Sequence, residues 1–303
     1  MESPVALAEG SERGPRVRAT GRGVRRVLSF LAHDPALAAA VAALGLLVFL
    51  AMFGPLIWTK SATAVDVGSS LLPPSRAHPM GTDSIGRDVF ARFNEGARIS
   101  LAVGMAVVIV GAIIGGVAGV VAGASPGWID ATLMRVMDAI LAFPALILAM
   151  AVTVGLGAGL ETAALGIMLT TLPYFARLLR AEVLRIRSLP FIEAAHALGA
   201  KRTRIMARHI VPHVVSTLLI QAAAVFGYAI LTLAALGFVG LGAQVPTPEW
   251  GTMITDGLQY FLTGQWWIGV FPGLGVLLAV TAASIIADRT RDILDPRGRY
   301  AHV

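Results

Sequence analysis

Two short segments carry the polar residues most able to do chemistry, and the chemistry they fit is docking and ion pairing. One reads Pro190-Phe191-Ile192-Glu193-Ala194-Ala195-His196-Ala197-Leu198-Gly199-Ala200-Lys201. Pro190 suits the first turn of a short helix, and Gly199 suits its C-terminal stop. Phe191, Ala194, Ala195 and Leu198 share one face at helical spacing. The paired alanines keep that face shallow, so a partner surface can approach it closely. The other segment runs from His78 to Arg92 and holds Gly81-Thr82-Asp83 and Gly86-Arg87-Asp88. These read as two tight polar turns whose Asp and Arg can pair. That pairing predicts an ordered loop capping a bundle, in preference to one that contacts a ligand.

Other chemistries lack their residues. A phosphate-cradling Walker A loop needs Gly-x-x-x-x-Gly-Lys-Ser/Thr. The lysines are Lys60 and Lys201, and neither follows glycine. There is no His-Glu-x-x-His, which argues against an intramembrane zinc hydrolase. With no cysteine, disulfides and thiolate metal sites are excluded. His196, His209 and His213 read as solvated histidines in preference to a metal site. No catalytic residue, cofactor or metal ligand is assigned.

The elements that must position the two segments are membrane spans. The chain has 303 residues, 56% of them hydrophobic and 14% charged, with a mean hydropathy of +0.76. A soluble domain carries about 25% charged residues. Charges cluster between long uncharged runs: Asp34 to Lys60, Arg98 to Asp130, Asp138 to Glu161, Arg208 to Glu249 and Asp256 to Asp288. Each run encloses the roughly 20 residues a helix needs to cross the bilayer core. A sixth, Glu161 to Arg177, is shorter and spans if Arg177 snorkels to one interface. An all-α, polytopic protein follows, with spans near 36–58, 99–123, 132–155, 160–181, 211–241 and 266–287. The first span resembles a signal peptide in its Arg-rich leader, but its apolar stretch is too long, so it reads as uncleaved.

Residues 1–34 form a basic tail, disordered or weakly ordered over 1–26, and 291–303 a C-terminal tail around a transmembrane domain at 35–290. Lys and Arg crowd the tails and the 184–210 loop, while the last two loops on the other side carry none. That bias places both termini in the cytoplasm. The net charge of +6 is therefore a topology signal, and nucleic acid is not implied. Gly111, Gly115, Gly119 and Gly123 repeat every fourth residue and, with Gly104, predict a smooth face for close helix packing. Pro144, Pro173 and Pro272 are expected to kink their spans. Trp250, Trp266 and Trp267 fit an interfacial aromatic belt. Pro and Gly between 234 and 253 exclude a plain helix there.

Glu193-Ala194-Ala195, three residues, Gly199, and then Pro212 at the matching distance resemble the EAA loop of ABC importer permeases. The family usually has an aliphatic residue at the position of His209, where peptide-type members often carry a polar one. The segment from His78 to Leu101 resembles the stretch ahead of span 2 in C-type permeases of dipeptide and oligopeptide importers. Ala234 to Gly242 and Pro246 to Met253 are similar to the loop between spans 5 and 6 of the same permeases. Arg291-Asp292-x-Leu294-Asp295-Pro296 matches their C-terminal signature, with Ala287 where Gly is usual and Thr290 where Leu is common.

The resemblance runs from about span 1 to Pro296 and implies a type I ABC importer permease fold. It implies a coupling helix at Glu193, Ala194, Ala195, Leu198 and Gly199 that seats in a groove of a separate ATPase, with a smaller contact near Ser125 to Asp130. It implies partners: a homologous B-type permease, two ATP-binding subunits and an extracytoplasmic solute-binding protein, in a bacterial inner or plasma membrane. Peptide is the expected substrate, with nickel, glutathione or haem as alternatives within the family. An ion-coupled carrier or channel acting alone is the reading outside it. Spans nearly devoid of ionisable residues weaken that reading.

Overall fold

The computed structural model describes residues 34–294, which are helical with irregular connections. The N-terminal tail up to His33 and the segment from Asp295 onward, with the end of the C-terminal signature, lie outside the described residues.

Helix α1 (Pro35–Ile57) opens with Asp34, whose carboxylate accepts from the N–H groups of Ala36 and Leu37, both at 3.1 Å. Pro35 sits at the first helical position, where its missing N–H costs nothing. One stripe of α1, including Leu37, Ala40, Leu47 and Ala51, is buried, while Leu46, Phe49, Met52 and Leu56 face outward. Helix α2 spans Val89–Ala124, 36 residues, or about 54 Å. That exceeds the roughly 30 Å hydrocarbon core, so its first turns project toward the polar side. The span expected from residue 99 therefore starts ten residues earlier, because Asp88 caps Ala91 N–H at 2.8 Å and draws Arg92 into the loop network.

A π-helical turn at Gly111–Gly115 interrupts α2 where its glycines meet α5 (Leu160–Arg187). A Cβ on Gly115 would lie 2.5 Å from the Leu172 carbonyl oxygen, and one on Gly119 would overlap the backbone of Ala176. Gly111 lies against Phe175 and Thr171, and Gly123 against Val183. The smooth face is thus a seam between α2 and α5, and its predicted packing role is what the structure has.

The expected single span at 132–155 is two helices, α3 (Trp128–Leu141) and α4 (Ala145–Leu156), bent by 86° at the break. Pro144 has no N–H and disfavours helical geometry at Phe143. Both residues are exposed, so no neighbour holds the chain straight. Pro173 also lies within a helix, but it is buried among neighbours and α5 runs through it. Pro272 likewise sits inside a continuous helix, α9.

Helix α6 (Pro190–Ala197) follows α5, and α7 (Arg202–Phe238) contains a second π turn at Met206–Ile210. The loop expected at 184–210 is therefore largely helical: α5 runs to Arg187 and α7 begins at Arg202. After α7 ends at Phe238, an irregular stretch leads to α8 (Trp250–Phe261), and α9 covers Trp267–Leu294. The Pro- and Gly-rich region is irregular only over 239–249, since its first residues end α7 and its last begin α8. Among the described residues, five helices are long and apolar enough to cross a membrane, and six if α3–α4 is one broken span.

Gly115→Leu should clash with the backbone of α5, an overpacking cost of about 1–3 kcal/mol. Thermal unfolding in detergent should show a midpoint several degrees lower. Gly45→Leu, where an added Cβ meets nothing within 4 Å, should leave the midpoint near that of the parent.

Candidate functional site

The two polar segments sit at opposite ends of the bundle and are built on opposite principles. Helix α6 is anchored by one side chain. Ile192, 1% exposed, packs with Leu179, Val183 and Ile186 of α5 and with Ile205, Ile210 and Val214 of α7. Gly199 adopts φ +79°, and Ala200 N–H returns to the Ala195 carbonyl at 3.0 Å, closing the helix. The expected face divides. Phe191, Glu193, Ala194 and Leu198 are exposed, Leu198 at 88%, whereas Ala195 turns partly inward against the Ile192 cluster. Phe191 is flanked by the rings of His209 and His213, each with its centroid 6.1 Å away. Pro212 is exposed, in α7 just after its π turn.

Two ion contacts steady the same end. Arg180 grips Asp130 through two bonds of 2.6 and 2.7 Å, joining α5 to α3. Arg187 donates to the Gly123 carbonyl at 2.6 Å, joining α5 to the end of α2.

At the other end, the residues singled out by sequence are internal. Gly81, Thr82, Asp83, Gly86, Arg87 and Asp88 are all buried. Gly81 and Gly86 take φ of +75° and +77°, and a side chain on Gly86 would overlap the backbone of Asp66. Asp83 accepts from the Arg87 N–H at 2.9 Å and the Arg87 Nε at 2.6 Å, and lies 3.5 Å from the Arg92 Nε. Asp88 caps α2 and accepts from Trp58 Nε1 at 3.1 Å, with a His78 ring nitrogen 2.8 Å away. Thr82 donates to the Ser69 carbonyl at 2.6 Å. The anticipated Asp–Arg pair is present, and every one of these contacts folds the loop on itself or onto the bundle.

Sequence reasoning misplaced two tryptophans and missed a glutamate. Trp250 is 0% exposed and donates to the Phe93 carbonyl at 3.2 Å. Trp267 is buried and donates to the Thr82 carbonyl at 3.1 Å. Of the three belt candidates, Trp266 alone is exposed. The buried pair are rivets between loop and helices, because an indole N–H removed from water needs an acceptor. Glu249 is 1% exposed and caps α8, accepting from Gly251 N–H at 2.8 Å, Thr252 N–H at 3.1 Å and Ser100 Oγ at 3.3 Å. Burial pushes its carboxyl above the usual range, and those hydrogen bonds oppose the shift. The available signal was an acidic residue directly before a helical run, Glu249-Trp250-Gly251-Thr252. Asp256 on α8, 47% exposed, lies 3.8 and 3.9 Å from Arg87 and Arg92. Burial raises its carboxyl too, partly offset by the two arginines.

Residues 115–300 match the family described as the binding-protein-dependent transport system inner membrane component. The chain belongs to this family. It is 41% identical over 250 residues to the dipeptide transport system permease protein DppC of Alkalihalophilus pseudofirmus, covering 82% of each chain. It is 44% identical to DppC of Escherichia coli K12 over 83% of this chain and 86% of that one. The probable D,D-dipeptide transport system permease DdpC of the same organism is 38% identical over 83% of this chain and 84% of its own. Among solved structures, one of the MetNI methionine ABC transporter in inward-facing conformations aligns with a TM-score of 0.52 at 22% identity. It covers 66% of this chain and 95% of that one, and so supports the fold.

As a member of the inner membrane component family, the chain is a transport subunit that crosses the membrane several times. The matched region begins within the α2 glycine seam and includes α6, while the buried 78–92 loop precedes it.

Asp83→Leu should leave Arg87 and Arg92 buried without their shared carboxylate, a loss of about 3–5 kcal/mol. Unfolding followed by tryptophan fluorescence should show the loop end lost first. Asp256→Asn, at a half-exposed pair, should cost no more than about 1 kcal/mol.

Proposed function

We propose that this chain is one of two permease subunits of an ATP-driven importer of short peptides, and that α6 is the lever on which separate ATPase subunits act. The observation that carries this reading is the construction of α6. It is fixed on its inner side by Ile192 to both α5 and α7, and bare on its outer side at Phe191, Ala194 and Leu198. Phe191, Ala194 and Leu198 exposed together on one short helix at a polar end offer an apolar surface for a partner. Glu193 and Gly199 frame that face, and Trp128 beside Ser125 to Asp130 offers a smaller exposed contact.

ATP binding in the partner subunits displaces α6, and the Ile192 cluster passes the displacement to α5 and α7 together. Because α2 is seamed to α5, it moves with them, so the three helices act as one body between inward- and outward-facing states. The pathway forms against a homologous B-type permease, and an extracytoplasmic solute-binding protein delivers the substrate. The matched relatives' names favour peptides, and none of those named above refers to nickel, glutathione or haem. The excess of basic residues around α6 favours a cytoplasmic side for it and for both termini, in a bacterial inner membrane with the 58–88 loop outside. In this reading residues 35–290 are the permease domain, between tails at 1–34 and 291–303.

Glu193→Lys, which reverses the charge at the edge of the docking face, and Leu198→Asp, which charges its apolar part, should leave the protein membrane-inserted while peptide uptake falls more than about tenfold. Gly199→Val should do the same through strain of about 1–2 kcal/mol at a positive φ. Uptake assays and co-purification of ATP-binding chains read the outcome. Normal uptake in all three would refute the lever, and transport by the purified chain alone would point to a self-sufficient carrier.

A further inference from the structure

The outward side of α1 and the first turns of α2 bound a furrow that neither the loop network nor α6 uses. Its apolar part holds about 550 Å³, lined by Val48, Met52, Leu56, Leu101 and Ala102, with Arg98 beside them. Past Pro55, which both parts share, it continues into a polar pocket of about 190 Å³ bounded by Lys60, Ser61, Asn94 and Glu95. Met52 and Leu56 are exposed.

Asn94 lines that polar pocket and is 1% exposed, yet neither its Oδ1 nor its Nδ2 has a hydrogen-bond partner. Buried amides are rarely left unpaired, so this one calls for a ligand that both donates and accepts. Asn94 leans on Gly54 of α1, where an added Cβ would fall 2.7 Å from its Cγ, so the contact is built for that side chain. The charges beside it are balanced. Arg98 and Glu95 lie 4.0 Å apart on consecutive turns of α2. Lys60 is already engaged, donating to the Ala77 carbonyl at 2.5 Å. One cation and one anion thus remain next to each other at the mouth of an apolar furrow, the complement of a zwitterion with a hydrocarbon tail.

We propose that the furrow binds a glycerophospholipid with a primary-amine headgroup, drawn from the leaflet at the 58–88 loop end. Its acyl chain lies along α1, its phosphate meets Arg98 and the Asn94 Nδ2, and its ammonium sits between Asn94 Oδ1 and Glu95. A trimethylammonium headgroup has no N–H to give Asn94 or Glu95. An uncharged glycerol headgroup leaves Glu95 facing a net negative lipid. The bound lipid fastens α1 to α2 at the point where the ordered loop begins.

The test uses the full chain with its co-purifying subunits, in detergent, by native mass spectrometry. Phosphatidylethanolamine, phosphatidylcholine and phosphatidylglycerol of matched acyl chains are added in turn. The ethanolamine lipid should be retained about five- to tenfold more strongly than the choline lipid, the worth of one or two hydrogen bonds. Asn94→Leu and, independently, Glu95→Gln should abolish that preference while some lipid is still retained. Ala102→Trp, at an exposed position that fills the furrow, should remove the bound lipid altogether. Equal retention of the three lipids, stronger retention of the glycerol lipid, or binding unaffected by Ala102→Trp would each overturn the proposal and leave a water-filled pocket. If Asn94→Leu does not fold, Glu95→Gln and Ala102→Trp decide the matter.

Discussion

Between helices embedded in lipid there is no water to expel, so α2 and α5 are held together by how closely their backbones can come. Dispersion grows steeply with proximity, and small residues are what allow it. Gly111, Gly115, Gly119 and Gly123 bring α2 onto the α5 backbone over three turns, and the π turn at Gly111–Gly115 adjusts α2 to follow it. The other contacts build on this seam. Helix α4 reaches α5 through Gly166 against Ala149, and α6 hangs from the end of the same helix.

The two ends of the bundle show two solutions for polar residues. At the loop end, Asp83, Arg87, Asp88, Arg92 and Glu249 are buried and satisfied by one another, by backbone N–H groups and by indoles. Burying such charges stabilises a fold only when every partner is present, and here the partners come from the 58–88 loop, α2 and α8. At the α6 end the order is reversed. Apolar Phe191 and Leu198 stay exposed, and the charged residues around them stay solvated. The first arrangement fixes an architecture, while the second leaves a surface that another chain can complete.

The spans were readable because inserting a charge is costly, which leaves long uncharged runs in any membrane sequence. The α6 motif was readable because a proline start and a glycine stop are local signals. Other features depended on what surrounds a residue. Pro144 and Pro173 look alike in sequence, but burial lets α5 continue through Pro173 while exposure breaks the chain at Pro144. Trp250 and Trp267 follow composition rules for an interface, but their indoles found carbonyl acceptors at Phe93 and Thr82, far away in sequence. Ala195 lay on the predicted docking face because helical spacing cannot say which edge of a shallow face turns inward. Ile192, the anchor of that helix, was not singled out at all, since an isoleucine in an apolar chain carries no local signal. Glu249 was passed over for a related reason: a lone acid among prolines and glycines reads as a solvated loop residue until its cap is seen.

The unequal ends also bear on how a bundle like this moves. A rearrangement breaks the cheapest contacts first. At the loop end, motion of the 58–88 loop relative to α9 would separate Trp267 from Thr82, and motion of α2 relative to α8 would separate Trp250 from Phe93 and strip Glu249 of its Ser100 partner. Each leaves a buried polar group unpaired. At the α6 end, α6 is fixed by the Ile192 cluster, and the ties of α5 to α3 and α2 are the partly exposed Arg180–Asp130 and Arg187–Gly123 contacts, which water can replace. A displacement applied at α6 therefore swings the α6 ends of α5 and α7 more readily than it loosens the loop end. Under the proposed function, the bundle hinges where its charges are buried and is driven where its apolar residues are bare.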